Sequence, residues 1–207
     1  AQECGDTTGI HFQGSHLLLI PQWVKRSLDF AIVALGSIFV LPLVLAIGAA
    51  IKIVSPDGPI FFGHTRLGRN GTPIRTWKFR TMVPDADRRL EEYLRGNPEQ
   101  RLEWERLHKP KNAPRVIPYV GSFLRKFSLD ELPQLWNVLK GEMSLVGPRP
   151  IVADEINRYA GAYTLYKKVR PGITGLWQIS GRNNTTYQER IELDIYYVTN
   201  WSPWLDL

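Results

Sequence analysis

The fold of this chain is decided by one uncharged stretch, Phe30-Ala-Ile-Val-Ala-Leu-Gly-Ser-Ile-Phe-Val-Leu-Pro-Leu-Val-Leu-Ala-Ile-Gly-Ala-Ala-Ile51. The stretch is long enough to cross a bilayer as a helix. It lies too far from the first residue, and has the wrong flanks, for a cleaved signal peptide. Its length also disfavours a helix buried in a soluble core. We therefore predict a membrane-associated helix over residues 21–53.

Two arrangements of this helix compete. Lys25 and Arg26 precede the apolar stretch and Lys52 follows it. A straight spanning helix would put these cations on opposite sides, whereas a re-entrant hairpin would keep both ends on the cytoplasmic side, which positive charge prefers. Pro42 lies near the middle, where its missing amide and its ring bend a helix. Together these features favour a re-entrant hairpin broken at Pro42, although proline is also tolerated in spanning helices.

An acidic residue, Asp29, lies at the base of the apolar helix and needs a partner there. Arg26 precedes it by about one turn and is the expected partner. We predict that Lys25, Arg26, Asp29 and Pro42 anchor the helix at the membrane interface and take no part in catalysis.

The overall charge is positive, with 26 Lys and Arg against 20 Asp and Glu and a net charge of +6. This balance suits anionic partners such as phosphates or the inner-leaflet surface, although ordinary solubility explains it as well. Cys4 is the single cysteine, which excludes an intrachain disulfide and a cysteine metal cluster. Residues 1–20 are expected to be a linker or the remnant of an upstream domain.

Residues 54–83 show the pattern of a β-hairpin, with apolar runs on either side of Gly68-Arg-Asn-Gly71. Alternation along the second strand puts Thr76, Lys78 and Arg80 on one face. This polar, cationic face could hold a phosphate, or it could simply be a solvated strand face.

The remaining chain indicates an α+β protein that is mainly helical, with a domain over 54–207 continuous with the anchor. Two amphipathic helices over 84–109 either lie on the membrane surface or pack on a soluble core. A proline-containing connection follows over 110–126. Further helices are predicted over 150–169, with Ile151, Ile156, Tyr159, Tyr163 and Tyr166 inward, and over 185–201. Trp201 and Trp204 suit an interfacial aromatic belt.

Adjacent carboxylates occur in Arg125-Lys-Phe-Ser-Leu-Asp-Glu-Leu-Pro133. Ser128 and Glu131 have the spacing of a helix capping box, with an apolar run behind them. A helix N-terminus would keep Asp130 and Glu131 ionised and would favour a phosphate nearby. By itself the motif favours a simple cap by Glu131 and a first-turn acid at Asp130, and only the rest of the chain favours a functional acid pair.

Two later segments offer cations on stiff or donor-rich loops. Pro148 and Pro150 flank Arg149, which suits an oxyanion, although simple turn chemistry remains an alternative. Arg170-Pro-Gly-Ile-Thr-Gly-Leu-Trp-Gln-Ile-Ser-Gly-Arg-Asn183 combines glycines, hydroxyls and guanidinium groups, as phosphate-binding loops do. It matches neither a Walker loop nor a dinucleotide fingerprint.

In this order the motifs resemble the monotopic phosphoglycosyl transferases, the bacterial polyprenyl-phosphate sugar-1-phosphate transferases. The matching pieces are Lys25-Arg26-x-x-Asp29, Pro42, Lys78-Phe-Arg-Thr-Met82, Leu124-Arg-Lys126, Ser128-Leu-Asp-Glu-Leu-Pro-Gln-Leu135, Met143-Ser-Leu-Val-Gly-Pro-Arg-Pro150 and Arg170-Pro-Gly-Ile-Thr-Gly-Leu-Trp-Gln-Ile-Ser-Gly-Arg182. They run from residue 25 to the end of the chain, and the later part is most similar to the larger, galactose-1-phosphate transferase type. Leu41 stands where many members have serine, so the helix break would rest on Pro42 alone.

The resemblance implies an enzyme of the bacterial inner membrane whose catalytic domain faces the cytoplasm. Such an enzyme transfers a sugar-1-phosphate from a UDP-sugar, with UDP-galactose and UDP-glucose as candidates, to undecaprenyl phosphate. The products are undecaprenyl-diphospho-sugar and UMP, and the step begins capsule, exopolysaccharide or O-antigen assembly. The sequence does not decide whether the protein forms a homodimer. It contains no nucleic-acid recognition pattern.

The roles of individual residues follow from the resemblance and from phosphate chemistry. Two anionic substrates repel each other, and a covalent relay through Asp130 as nucleophile avoids their direct meeting. Glu131, with Asp130, is expected to bind Mg²⁺. The predicted phosphate- or substrate-binding residues are Arg125, Arg149, Arg182, Lys78, Arg80 and Arg170. The alternatives are a membrane-tethered module that binds acidic lipid and an inactive scaffold with the same fold.

Overall fold

The structure is a computed structural model that describes residues 22–97, 99–101, 115–181 and 185–206. The helices are α1 (Gln22–Val54), α2 (Ala86–Gly96), α3 (Val120–Lys126), α4 (Gln134–Lys140), α5 (Ile156–Tyr159), α6 (Tyr163–Tyr166), α7 (Leu176–Ile179) and α8 (Tyr187–Asn200). The strands are β1 (Phe61–Leu67), β2 (Pro73–Phe79), β3 (Ser144–Val146) and β4 (Gly172–Thr174). The prediction of a mainly helical α+β chain is therefore confirmed.

Helix α1 is the long apolar helix that the sequence predicts. Within the described ranges it is the one helix whose length and composition suffice to cross a membrane, and only 11% of its most apolar window is buried. This exposure excludes a core helix of an ordinary soluble domain. Helical structure continues through Pro42, so the interruption expected there is not confirmed, and the re-entrant arrangement stays a prediction.

The chain divides into two compact units. The described parts of the first unit are 22–30, 66–74 and 141–206, and those of the second unit are 31–65, 75–97, 99–101 and 115–140. The predicted division into an anchor over 21–53 and a catalytic domain over 54–207 stays a prediction.

The second unit has a core in which α1 packs with residues from the β-hairpin and from α3. Its buried members are Ile47, Ile51, Phe79, Val83, Ile117 and Leu124. Leu124 lies on α3, in a region predicted to be an irregular connection over 110–126. That prediction is wrong for residues 120–126, because the apolar spacing of Val120 and Leu124 forms a short helix that closes this core. Residues 110–114 of the predicted connection lie outside the described part of the chain.

The predicted hairpin is confirmed, with β1 and β2 forming a two-stranded sheet. Asn70 and Gly71 supply the turn with φ of 60° and 76°, a conformation that asparagine and glycine tolerate best. The strand face that carries Thr76, Lys78 and Arg80 is not a solvated face, because Thr76 and Arg80 are buried.

Of the two predicted amphipathic helices, the first is α2, whose Leu90 is buried. Residues 99–101 are helical, and residues 102–109, with Leu102, Trp104 and Leu107, lie outside the described chain. Whether these helices lie on the membrane stays a prediction.

The first unit is built on a short parallel sheet that sequence reasoning did not find. Strands β3 and β4 pair with Ser144 opposite Gly172 and Val146 opposite Thr174. The first unit also contains two apolar cores. One buries Val169, Tyr197, Val198 and Trp201, and the other buries Ile151, Tyr159, Tyr166, Ile191 and Ile195.

The helix predicted over 150–169 is wrong in its continuity. Short helical turns replace it, because Ala160 adopts a positive φ of 45° that no α-helix contains. Of the residues expected to point inward, Ile151, Tyr159 and Tyr166 are buried, whereas Ile156 and Tyr163 are half-buried.

The helix predicted over 185–201 is confirmed as α8. Thr186 accepts a hydrogen bond from the Glu189 amide and Glu189 accepts one from the Thr186 amide, so a full capping box starts the helix. The assignment of Trp201 to an interfacial belt is wrong, because its ring is buried in the first core. Trp204 is exposed.

Candidate active site

The acid pair Asp130 and Glu131 lies on a single 3₁₀ turn, Leu129–Glu131, in the second unit. The predicted capping box is wrong. Ser128 has a positive φ of 56° and its side chain makes no cap hydrogen bond, because this residue ends α3 in the left-handed conformation common after helices. Helix α4 starts only after Pro133, as proline chemistry demands.

Lys78 joins the two carboxylates. Its Nζ lies 2.5 Å from Oε1 of Glu131 and 4.0 Å from Oδ2 of Asp130. Lys78 lies on strand β2, on the same face of the chain as the buried residues Thr76 and Arg80. This position places its ammonium group beside the two carboxylates. The carboxylates thus meet a fixed cation that can offset negative charge close to them.

Asp130 lies half-buried in this cluster. Burial raises the pKa of its carboxyl group above the usual aspartate range, Lys78 opposes that rise, and the neighbouring Glu131 adds to it. A carboxylate that is partly withdrawn from water and lacks tight ion pairing is a better nucleophile than a solvated one. Arg125 also acts on the Asp130 charge through space.

Arg125 belongs to the same site, as the sequence predicts. Its Nε donates to Oγ1 of Thr81 at 2.9 Å. Burial lowers the pKa of its guanidinium group, the Asp130 charge raises it, and the charge of Arg115 lowers it. The positive charges of Lys78 and Arg125 therefore both act on Asp130, and Arg115 acts on Arg125.

Arg80 holds the backbone after α1 in place. Its guanidinium group donates to the Pro59 carbonyl at 2.6 Å, to the Ser55 carbonyl at 2.6 Å and to Oγ of Ser55 at 2.9 Å. With three donors engaged and only 7% of the residue exposed, Arg80 has a packing role here. Its binding of a phosphate stays a prediction from sequence alone.

The other predicted arginines lie in the first unit or outside the description. Arg149 is exposed, with its guanidinium group 5.5 Å from the Trp177 ring centre. The Arg170 Nε donates to the Gly141 carbonyl at 2.8 Å, so part of its donor set closes a turn. Arg182 lies outside the described residues. The roles of Arg149, Arg170 and Arg182 in substrate binding stay predictions.

Two of the predicted anchor residues, Lys25 and Asp29, belong to a buried ionic cluster in the first unit. The Lys25 ammonium group lies 3.7 Å from Asp29, and the Ser144 hydroxyl donates to Asp29 at 2.7 Å. The pairing of Asp29 with Arg26 stays a prediction. Lys25 also binds Asp206. With 8% and 5% of Lys25 and Asp29 exposed, these two residues pair with protein groups, and their role as membrane anchors stays a prediction. The roles of Arg26 and Pro42 as anchors stay predictions.

Among the described residues, a divalent cation would find two carboxylates at this site, Asp130 and Glu131. In the described ranges, three or more His, Cys, Asp or Glu side chains nowhere gather as a metal cage. Mg²⁺ commonly takes one or two carboxylates and completes its shell with substrate phosphates and water. The adjacent Asp130 and Glu131 match that donor set, on condition that Lys78 releases Glu131.

Sequence reasoning missed two polar residues that support the site. Asn137 is fully buried on α4, where its Oδ1 accepts from the Trp77 amide at 3.2 Å and its Nδ2 donates to the Arg75 carbonyl at 2.8 Å. It therefore pairs with the edge of β2 beside Lys78. The second is Thr81, whose hydroxyl oxygen accepts the hydrogen bond from Arg125. Two amides spaced three residues apart within an apolar run, Gln134 and Asn137, are the signal that could have revealed this buried polar position.

Comparison with known proteins identifies the class. A model of the bacterial sugar transferase family matches residues 20–207. The chain therefore belongs to this family, and its expected membership of the phosphoglycosyl transferases is confirmed.

Individual relatives carry more specific names. The chain is 46% identical over 211 aligned positions to an uncharacterized sugar transferase of Haemophilus influenzae, covering 97% of this chain and 44% of the relative. It is 50% identical to the exopolysaccharide production protein ExoY of Sinorhizobium fredii, covering 88% and 80%. It is 46% identical to the undecaprenyl-phosphate galactose phosphotransferase of Salmonella typhimurium, covering 90% and 38%. The chain thus spans less than half of two of these relatives.

Proposed function

We propose that this chain transfers a sugar-1-phosphate from a UDP-sugar to undecaprenyl phosphate at the bacterial inner membrane, and so begins exopolysaccharide assembly. The observation that carries the proposal is the half-buried Asp130, held beside Glu131 and Lys78 in one compact unit that also contains most of the membrane helix. The names of the Salmonella and Sinorhizobium relatives support the acceptor and the pathway class.

The reaction proceeds in two displacements. An Oδ of Asp130 attacks the sugar-linked phosphorus of the UDP-sugar, and the bond from this phosphorus to the bridging oxygen breaks, so that UMP leaves. An oxygen of undecaprenyl phosphate then attacks the same phosphorus and displaces Asp130. The products are undecaprenyl-diphospho-sugar and the free carboxylate.

Charge neutralisation explains the surrounding residues. Phosphoryl transfer depends mainly on positioning and on cations near the phosphate oxygens. Lys78 and Arg125 supply such charges from the second unit. When Mg²⁺ is bound, it adds Lewis-acid neutralisation of the phosphate oxygens. Glu131, with Asp130, would hold the ion, and Lys78 would then be free to turn toward a substrate phosphate.

The catalytic rate should depend on pH through Asp130. The nucleophile must be ionised, and burial places its pKa above the ordinary aspartate range. Activity should therefore fall as the pH is lowered through that raised pKa, at a higher pH than for a solvated aspartate.

The proposal is tested by UMP release from a panel of UDP-sugars with Mg²⁺ and undecaprenyl phosphate. We expect release with one sugar, a covalent sugar-phosphate adduct on the intact protein by mass spectrometry, and loss of both in Asp130→Asn by at least about 10³-fold. The exposed Asp87 makes Asp87→Asn a control with the same charge change and parental activity. A folded parent that releases no UMP from any sugar would leave the lipid-binding module or the inactive scaffold as the better function.

A further inference from the structure

The second unit contains an apolar groove of about 430 Å³ beside the acid pair. One wall is the stretch of α1 from Val33 to Val44, and the opposite wall is the segment from Leu132 to Lys140. Phe61 and Trp77 complete the lining. We use the name acceptor groove for the space bounded by these residues.

The chemistry of the lining selects a hydrocarbon ligand. Of the thirteen lining residues, Ser37 and Lys140 carry a polar side chain, Trp77 and Trp136 each add one indole N–H donor, and the other nine side chains are wholly apolar. The Ser37 hydroxyl already donates to the Ala34 carbonyl at 2.6 Å, within its own helix. A sugar or a nucleotide would leave its hydroxyl and amide groups without partners on such walls, at a high free-energy cost. A branched hydrocarbon chain would bury apolar surface there without that cost.

The groove lies next to the proposed nucleophile, Asp130. Its wall starts at Leu132, directly after Asp130 and Glu131. Two Cα steps of about 3.8 Å place the Cα of Leu132 within about 7.6 Å of that of Asp130. A chain lying against Leu132 and Pro133 could therefore end in a phosphate close to the nucleophile.

From these observations we infer that the acceptor groove binds the first isoprene units of the polyprenyl phosphate acceptor. The inference rests on the proposed function, and it adds where the lipid chain lies. The groove directs the acceptor phosphate to Asp130, while the outer face of α1, including Phe39 with 82% exposure, remains for bulk lipid.

Photocrosslinking tests this placement directly. The full chain in lipid nanodiscs is exposed to a polyprenyl phosphate that carries a diazirine on the isoprene unit next to the phosphate, without UDP-sugar. We expect labelling within residues 132–140 and 33–44, and we expect unlabelled undecaprenyl phosphate, but not phosphatidylglycerol, to compete. Labels spread over the outward face around Phe39, or equal competition by both lipids, would overturn the inference.

A matched pair of variants separates the acceptor from the donor reaction. Trp136 lines the groove and is 56% exposed, so Trp136→Ala should fold, and Phe39→Ala is the control on the outward face. We expect Trp136→Ala to raise the KM for polyprenyl phosphate about tenfold, as loss of an apolar pocket wall does. Its stoichiometric UMP release without acceptor should equal that of the parent and of Phe39→Ala.

The outcomes distinguish the inference from the proposed function. An unchanged KM in Trp136→Ala, or an equal loss of acceptor-independent UMP release, would contradict an acceptor site in the groove. A parent that releases no UMP would sink the transferase reaction, while the photocrosslinking would still show whether the groove binds the lipid.

Discussion

Replacement of Asn137 by alanine tests how the fold holds the reactive strand. The side chain is fully buried, and it satisfies the Trp77 amide and the Arg75 carbonyl of β2. Asn137→Ala leaves both backbone groups without that partner. Each part-buried group left unsatisfied costs about 1–3 kcal/mol, with the lower half of the range expected here. The free energy of unfolding should therefore fall by about 2–4 kcal/mol.

The assay is thermal unfolding in one detergent, followed by circular dichroism, with UMP release measured in parallel. For a chain of this size the loss corresponds to a Tm lower by roughly 4–16 °C. Asn97→Ala is the matched control, because Asn97 is exposed and its side-chain amide donates to the Tyr93 carbonyl at the end of α2; its effect should stay within about 0.5 kcal/mol. Equal Tm values for Asn137→Ala and the control would refute the reasoning that this asparagine supports β2 and Lys78.

Three further predictions concern the first unit. Burial raises the pKa of Asp194 to about 7, although the Tyr159 hydroxyl donates to it. Between pH 4 and 7 the folded state therefore binds a proton that the unfolded state has lost, so the free energy of unfolding should fall by up to about 1.4 kcal/mol for each unit by which the pH rises. Denaturation of Asp194→Asn over the same range should lack this slope. Thr186→Ala removes the N-cap of α8 and should cost about 1 kcal/mol in urea unfolding, whereas Thr186→Ser should cost little. Asp29→Ala leaves Lys25 with Asp206 as its carboxylate partner and removes the acceptor of the buried Ser144 hydroxyl, so it should cost about 1–3 kcal/mol, and a Tm equal to that of the parent would contradict a structural role for Asp29.

Local patterns predicted the elements whose signals are confined to one segment. The uncharged run predicted α1, the Asn-Gly turn predicted the β1–β2 hairpin, and the spacing of polar and apolar residues predicted α8. In each case residues close together in the sequence provide both the hydrogen bonds and the apolar face of the element, so tertiary contacts do not change the structure that the local sequence favours.

Predictions failed where distant residues compete for the same group. Ser128 looked like a cap for Glu131, but Glu131 pairs with Lys78, which is far away along the chain, and Ser128 ends α3 instead. For Asp29 the sequence indicated Arg26 as the partner, but it did not reveal Lys25 or the Ser144 hydroxyl, which comes from far along the chain. Strands β3 and β4 were missed because three-residue strands have too few positions to show an alternating pattern.

The sequence alone determined that the chain carries a membrane helix, a cationic strand and an acid pair, and that the motifs follow the order of one transferase family. These are properties of composition and spacing, which the chain has before it folds. Only the tertiary structure decided that Lys78 lies against Asp130 and Glu131, that Arg80 is engaged by the backbone after α1, and that an apolar groove starts beside the acid pair. Such facts depend on which residues approach one another across long separations, because packing and burial assign each charged group its partner.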